Sequence, residues 1–265
     1  MNILDKIVEY KRLEVEERKR AVPVTELERT AGFAARVRSA RQFLTDPSKT
    51  GIIAEFKRRS PSKGAINEQA DVTVVTAGYV KGGASCLSVL TDGPSFGGSV
   101  DDLDKARCHG VPVLRKDFII DEYQVMETKS MGADMLLLIA ACLTPAEVKQ
   151  LAGLARSIGL EVLLEIHHED ELGHICAETE LVGVNNRDLK TFTVDIERSI
   201  RLNEKIPAGK IRIAESGISR VETIMQLKKA GFQGFLIGEN FMKEADPGVA
   251  FQAFASRLVQ AGNNL

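Results

Sequence analysis

Eight short apolar runs recur along this chain, and their regular recurrence leaves few folds open to it. They occupy 51–56, 86–90, 111–114, 134–139, 161–166, 181–184, 211–214 and 234–237. Each is too short for a buried helix, ends in a polar residue and precedes a stretch with helical spacing. Successive runs begin roughly 20 to 36 residues apart, close to one strand–helix unit each. Runs apolar on both faces belong to a parallel sheet covered by helices. Eight such units without a break in composition point to one closed (β/α)8 TIM barrel over 51–265, rather than to an open doubly wound sheet. A length of 265 residues would suggest two domains by simple division, but α/β barrels routinely hold more than 200 residues in one.

Residues 1–50 lie outside the eight units. Up to residue 20, Ile3, Leu4, Ile7, Val8 and Leu13 are spaced among Lys, Arg and Glu, the pattern of an amphipathic helix with a narrow apolar stripe. Pro23 ends it, and a second short helix is expected from Thr25. This N-terminal helical extension is read as part of the same domain, capping the C-terminal face of the barrel. Further along, Thr144-Pro145-Ala146-Glu147 has the pattern of a capping box with proline at the first helical position, and Gly159 is the stop. Ser219-Arg220-Val221-Glu222 repeats the box, and Asp246-Pro247 opens the last helix.

Composition removes several function classes. With 35 Lys and Arg against 37 Asp and Glu, there is no excess of base for a broad nucleic-acid footprint. At 44% hydrophobic the chain can bury a real core, which excludes general disorder. No apolar run approaches the ~18 residues of a membrane span, and the first residues lack the apolar stretch of a signal peptide. Cys86, Cys108, Cys142 and Cys176 form no CxxC pair and read as reduced structural thiols, so a cytoplasmic protein is expected. The expected partner is a small anionic molecule, with neither nucleic acid nor membrane; a monomer is expected, with a homodimer as the alternative.

Barrels of this kind place their active sites where the strands end. Run one ends in Glu55-Phe56-Lys57, and run three leads into Arg115-Lys116-Asp117. The later runs end at Glu165, at Asn185-Asn186-Arg187, at Glu215-Ser216-Gly217 and at Gly238-Glu239-Asn240. Carboxylates and lysines converging on one mouth cost several kcal/mol to bury unless they pair or bind a ligand, so the cluster reads as catalytic. Loops after strands seven and eight often hold phosphate through backbone N–H groups, and Ser216-Gly217 and Gly238-Glu239 sit there. The basic stretch Lys57-Arg58-Arg59-Ser60-Pro61-Ser62-Lys63-Gly64 adds charge after strand one. His167, His168 and His174 have no HxxxH or HxH spacing, so they read as surface or helix-start residues and no metal site is expected. Gly97-Gly98, after run two, fits either a plain turn or a loop lining the mouth.

Taken together, these motifs resemble the indole-3-glycerol-phosphate synthase family of tryptophan biosynthesis. The matching stretches include 52–64, Leu87-Ser88-Val89-Leu90-Thr91-Asp92 with Phe96-Gly97-Gly98-Ser99, and Pro112-Val113-Leu114-Arg115-Lys116-Asp117-Phe118. Glu161-Val162-Leu163-Leu164-Glu165, Val184-Asn185-Asn186-Arg187-Asp188-Leu189, Ala214-Glu215-Ser216-Gly217-Ile218 and Phe235-Leu236-Ile237-Gly238-Glu239 complete the set. Gly93-Pro94-Ser95 is a modest departure. The resemblance implies a carboxy-lyase that converts 1-(2-carboxyphenylamino)-1-deoxyribulose 5-phosphate into indole-3-glycerol phosphate, CO2 and water without metal or organic cofactor. It implies Lys116 as general acid on the ketose carbonyl and Lys57 as the group gripping the carboxylate that is lost. Glu165 would stabilise developing positive charge and act as base, with Glu55 supporting it, while Asn185 and Glu215 orient hydroxyls. Ser60, Ser216, Gly217, Gly238 and Glu239 (by its backbone) would hold the phosphate, Phe96 and Phe118 would wall the aryl ring, and Arg187 would contact substrate. Two other readings compete: an aldolase using Lys116 as a Schiff-base amine, and a non-catalytic sugar-phosphate-binding barrel.

Overall fold

A computed structural model describes residues 3–188 and 193–263. Eight parallel strands close into a barrel. They are β1 (Ile52–Phe56), β2 (Cys86–Leu90), β3 (Val113–Lys116), β4 (Met135–Ile139), β5 (Glu161–Ile166), β6 (Leu181–Asn185), β7 (Ile211–Glu215) and β8 (Gly234–Ile237). Each pairs with its neighbour in sequence, and β8 returns to β1 through Ile52↔Phe235 and Ala54↔Ile237. Helices alternate with the strands as the spacing predicts, except between β5 and β6, where only the 3-10 turn Glu169–His174 lies. Among the described residues no helix is long and apolar enough to cross a membrane.

The period-2 alternation of side chains divides the apolar residues into two cores. Ile53, Leu114, Met135, Leu137, Leu163, Ile213 and Leu236 fill the barrel interior. Ile52, Ala54, Leu87, Val89, Leu136, Leu138, Val182 and Phe235 instead pack outward against the helices. That alternation also fixes where the polar residues point. Glu55 and Lys57 follow Ile53 on the inner face, Lys116 follows Leu114, Glu165 follows Leu163, and Glu215 follows Ile213.

Three strands run past the apolar residues that mark them in the sequence. β3 extends through Arg115 and Lys116, paired as Val89↔Arg115 and Leu90↔Lys116. β6 and β7 each gain one residue through Asn185↔Glu215. Hydrophobicity stops short of the strand end here because the last inward positions carry polar side chains while the backbone ladder continues. Thr144 and Glu147 form the expected capping box. The second expected box does not form: the helix Val221–Lys229 starts from Arg220 with no side-chain cap.

The N-terminal helix runs Ile3–Ala21, followed after Pro23 by Val24–Leu27. Ile7 joins the barrel-interior core, and Ile3, Leu4 and Ile7 line the cavity at the mouth. Its grip on the rim is ionic as well. Lys11, fully buried, lies 2.9 Å from Asp92 and 3.0 Å from Asp117, and the Tyr10 hydroxyl donates to Asp92 at 2.7 Å.

Candidate active site

The site is built from strand ends. Lys116 Nζ, at the end of β3, donates to Glu165 Oε2 at 3.0 Å and to Glu215 Oε2 at 3.2 Å. Glu165 Oε1 accepts from Asn185 Nδ2 at 3.2 Å, and Asn185 Oδ1 accepts the Arg187 backbone N–H at 3.0 Å. Beside this group, Lys57 Nζ donates to Glu55 Oε1 at 2.6 Å. One cavity of about 370 Å³ is lined by every residue to which the resemblance assigns a role: Glu55, Lys57, Ser60, Phe96, Lys116, Phe118, Glu165, Asn185, Arg187, Glu215, Ser216, Gly217, Gly238 and Glu239. The Phe96 and Phe118 ring centroids are 6.0 Å apart. Phe96 reaches the mouth from the short helix Gly93–Phe96, which Asp92 caps and Gly97 ends at φ +63°. Leu189, the last residue of the matched β6 stretch, lies outside the described residues.

Burial and charge set the protonation states together. Burial alone would push the Lys116 ammonium down, but Glu165, Glu215 and Glu55 more than offset it, so the proton is held more tightly than on an ordinary lysine. Burial would likewise raise Glu165, yet Lys116, His167 and Asn185 hold it well below the usual carboxylate range. Glu215 goes the other way: burial and the negative charge of Glu165 outweigh Lys116 and push its carboxyl up. One ammonium thus serves two carboxylates, of which Glu165 carries the charge and Glu215 is the better proton holder.

Glycines shape this mouth in ways the sequence reading only half captures. Gly217 is at φ +70°, next to Ser216 at φ +67°, so two successive residues are left-handed and a Cβ at 217 would collide with Val194. Gly238 is at φ −127°; its need for glycine comes from Glu55, whose Oε1 would lie 2.6 Å from a Cβ there. Gly183, inside β6, shapes the site as well. A Cβ at 183 would strike Glu215 Oε1, so this glycine makes the room that Glu215 occupies. The mark in the sequence was a lone glycine inside an apolar run.

The cationic rim is paired internally. Glu239 accepts from Arg187 Nη2 at 3.3 Å and lies 3.5 Å from Lys63 Nζ. His167 departs from expectation: it is buried rather than on the surface, with Nε2 3.2 Å from Glu165 Oε1. His168 does point outward, toward Asp188.

The family model for indole-3-glycerol phosphate synthase matches residues 4–254. The indole-3-glycerol phosphate synthase of Bacteroides thetaiotaomicron is 47% identical over 97% of this chain and 99% of its own length. That of Bordetella pertussis is 44% identical, over 94% and 97%. Among solved structures, tryptophan synthase subunit alpha from Legionella pneumophila superposes with a TM-score of 0.62 over 87% of this chain and 100% of its own, at 17% identity, which shows the shared barrel fold. The chain belongs to the indole-3-glycerol phosphate synthase family.

Proposed function

We propose that the cavity carries out the family's ring closure through Lys116 as general acid, converting 1-(2-carboxyphenylamino)-1-deoxyribulose 5-phosphate into indole-3-glycerol phosphate, CO2 and water. The observation that carries this reading is the Lys116 ammonium, 14% exposed toward the cavity and held charged between Glu165 and Glu215. As the aryl carbon attacks the ketose carbonyl, the carbonyl oxygen gains negative charge, and a poised ammonium delivers its proton there. Such acid catalysis is worth ~10²–10⁴ in rate. Glu165, kept anionic, stabilises the positive charge that develops on the ring nitrogen and removes a proton later. Glu215 retains its own proton and orients substrate hydroxyls together with Asn185. Lys57, leaning on Glu55, meets the carboxylate that departs as CO2 and serves the dehydration.

The substrate is anionic at both ends, and anchoring both ends solves the entropy problem of folding a flexible sugar chain against its ring. The phosphate falls to Ser60, Ser216, Gly217, Gly238 and the backbone of Glu239, with Lys63 and Arg187 as cations that exchange the Glu239 carboxylate for it. Phe96 and Phe118 flank the aryl ring. Residues 1–50 extend the same domain over the mouth, and free thiols throughout suit a cytoplasmic location. A Schiff-base role for Lys116 needs a neutral amine, which three neighbouring carboxylates oppose.

The test is fluorescence-detected formation of indole-3-glycerol phosphate by wild type and Lys116→Ala, beside binding of an unreactive substrate analogue. The expected result is a kcat loss of ~10²–10⁴ with binding retained. Retention of kcat within about tenfold would remove Lys116 from the acid role.

A further inference from the structure

Behind the carboxylate that the proposed reaction uses as its base lies a buried histidine with no part in that reaction. His167 comes two residues after Glu165, so strand alternation carries it to the same side. Its side chain is fully buried, with Nε2 3.2 Å from Glu165 Oε1 and Nδ1 3.7 Å from Glu171 Oε2. Glu171 is itself held in place, because Oε2 also accepts the backbone N–H groups of His167 and His168. The imidazole therefore sits between two carboxylates, one facing the cavity and one tied to the start of the 3-10 turn Glu169–His174.

We propose that His167 is a positioning residue for the reaction, held by Glu171 as an imidazolium that fixes the orientation and the negative charge of Glu165. This rests on the reading of Glu165 as the base. Three groups then share the Glu165 carboxylate. Lys116 takes Oε2, while Asn185 and His167 converge on Oε1. Without His167, Oε1 would keep only a neutral amide donor, in a site where burial penalises the charged form. The arrangement follows the general logic of a catalytic group oriented by a second group that is itself held by a third.

Other titratable groups face the same place. Glu215 reaches the cluster from β7 and Lys116 from β3. His168 stands beside His167 with ring centroids 6.4 Å apart. Cys142, from the turn after β4, is a half-buried thiol pushed up to about 12 by desolvation and by the charges of Glu165, Glu171 and Asp5 of the N-terminal helix. His174, at the end of the 3-10 turn, has its ring nitrogens 3.0 Å from the Glu171 carbonyl and 2.9 Å from the Leu143 carbonyl. Burial alone would push His167 down, but Glu165 and Glu171 reverse this and raise it to about 9, so it is charged through the neutral range.

The experiment compares wild type with His167→Leu, His167→Gln, Glu171→Gln and Glu165→Gln, reading kcat, KM and the acidic limb of the kcat–pH profile. His167→Leu is expected to lower kcat by on the order of tenfold or more, to change KM less than about threefold, and to move the acidic limb to higher pH. The limb moves because Glu165 protonates more readily once its cationic neighbour is gone. His167→Gln, which keeps a polar side chain beside Oε1 but no charge, should recover part of kcat and leave the limb displaced. If His167→Leu does not fold, Glu171→Gln decides: the same upward displacement supports the proposal, and an unmoved limb overturns it. A folded His167→Leu enzyme with wild-type kcat and limb also overturns it. Glu165→Gln separates this failure from that of the underlying reading. Activity surviving in Glu165→Gln sinks the base assignment, whereas activity lost there but unaffected by His167→Leu sinks the positioning role alone.

Discussion

Arg115 and Lys116 are neighbours on one strand, yet they end in two ion clusters built on opposite principles. Arg115 turns outward and uses all of its donors: Nε toward Thr91, Nη1 toward the Gln124 carbonyl and Thr128, Nη2 toward Asp117 and Glu127. Asp117 in turn accepts from Thr91 at 2.6 Å and pairs with Lys11 of the N-terminal helix. Every charge in this outer group is paired, and Arg115, Asp117, Glu127 and Lys11 are all buried. Lys116 turns inward, faces two carboxylates with one ammonium, and opens onto the cavity; Glu215 Oε1 finds no hydrogen-bond partner among the described residues. A saturated buried network can only hold structure. An unsaturated one keeps capacity for a substrate.

The comparison breaks most visibly at Arg115. Arg115→Met would leave Asp117 and Glu127 buried without their main cation, a loss of about 3–5 kcal/mol in stability. Urea unfolding should show this, while kcat per folded molecule falls far less than in Lys116→Ala. Loss of activity without loss of stability would merge the two clusters into one.

Acid and alkali should find the two clusters separately. Burial alone would raise the Asp117 carboxyl, but Arg115 and Lys11 hold it at about 2. Its folded value lies below the unfolded one, so its stabilisation is complete above the ordinary carboxylate range and vanishes as pH falls through about 2, at ~2 kcal/mol. His167 is the reverse case, raised to about 9. Its stabilisation is complete below the ordinary imidazole range and is lost as pH rises through about 9. Urea midpoints against pH should therefore show a shallower acid decline in Asp117→Asn and a shallower alkaline decline in His167→Gln. Exchange of those two effects would contradict the assignment.

A smaller change should disturb the inner cluster by shape alone. Gly183→Ala places a methyl where Glu215 Oε1 sits and should lower kcat roughly tenfold, about 1.4 kcal/mol. Arg115 has no contact there, so the outer network should survive in the melting curve. An unchanged kcat would mean that Glu215 has no fixed position to lose.

The barrel and its mouth were largely legible because apolar runs mark strands directly and strand ends are where such barrels place polar residues. Glu55, Lys57, Lys116, Glu165, Asn185 and Glu215 reach one cavity for that reason alone. What escaped needed three-dimensional knowledge. Lys11 looks like one more solvated charge on an amphipathic helix, and nothing local announces that Asp92 and Asp117 will enclose it. His167 did carry a signal, its two-residue offset from Glu165, but its neighbour His168 made the pair look like a surface feature. Ser219 illustrates the converse. The capping pattern is present, yet the helix begins at Val221 and the serine is left out.

The central claim is that the inward lysine of β3 is a charged acid rather than a free amine. Direct titration of Lys116, followed through the 13Cε chemical shift of labelled protein, tests it without reference to turnover. The expected result is an ammonium that persists beyond the ordinary lysine value of about 10.4 and becomes easier to deprotonate in Glu165→Gln. A Lys116 amine that loses its proton near neutral pH would contradict it, and would make the residue a nucleophile instead.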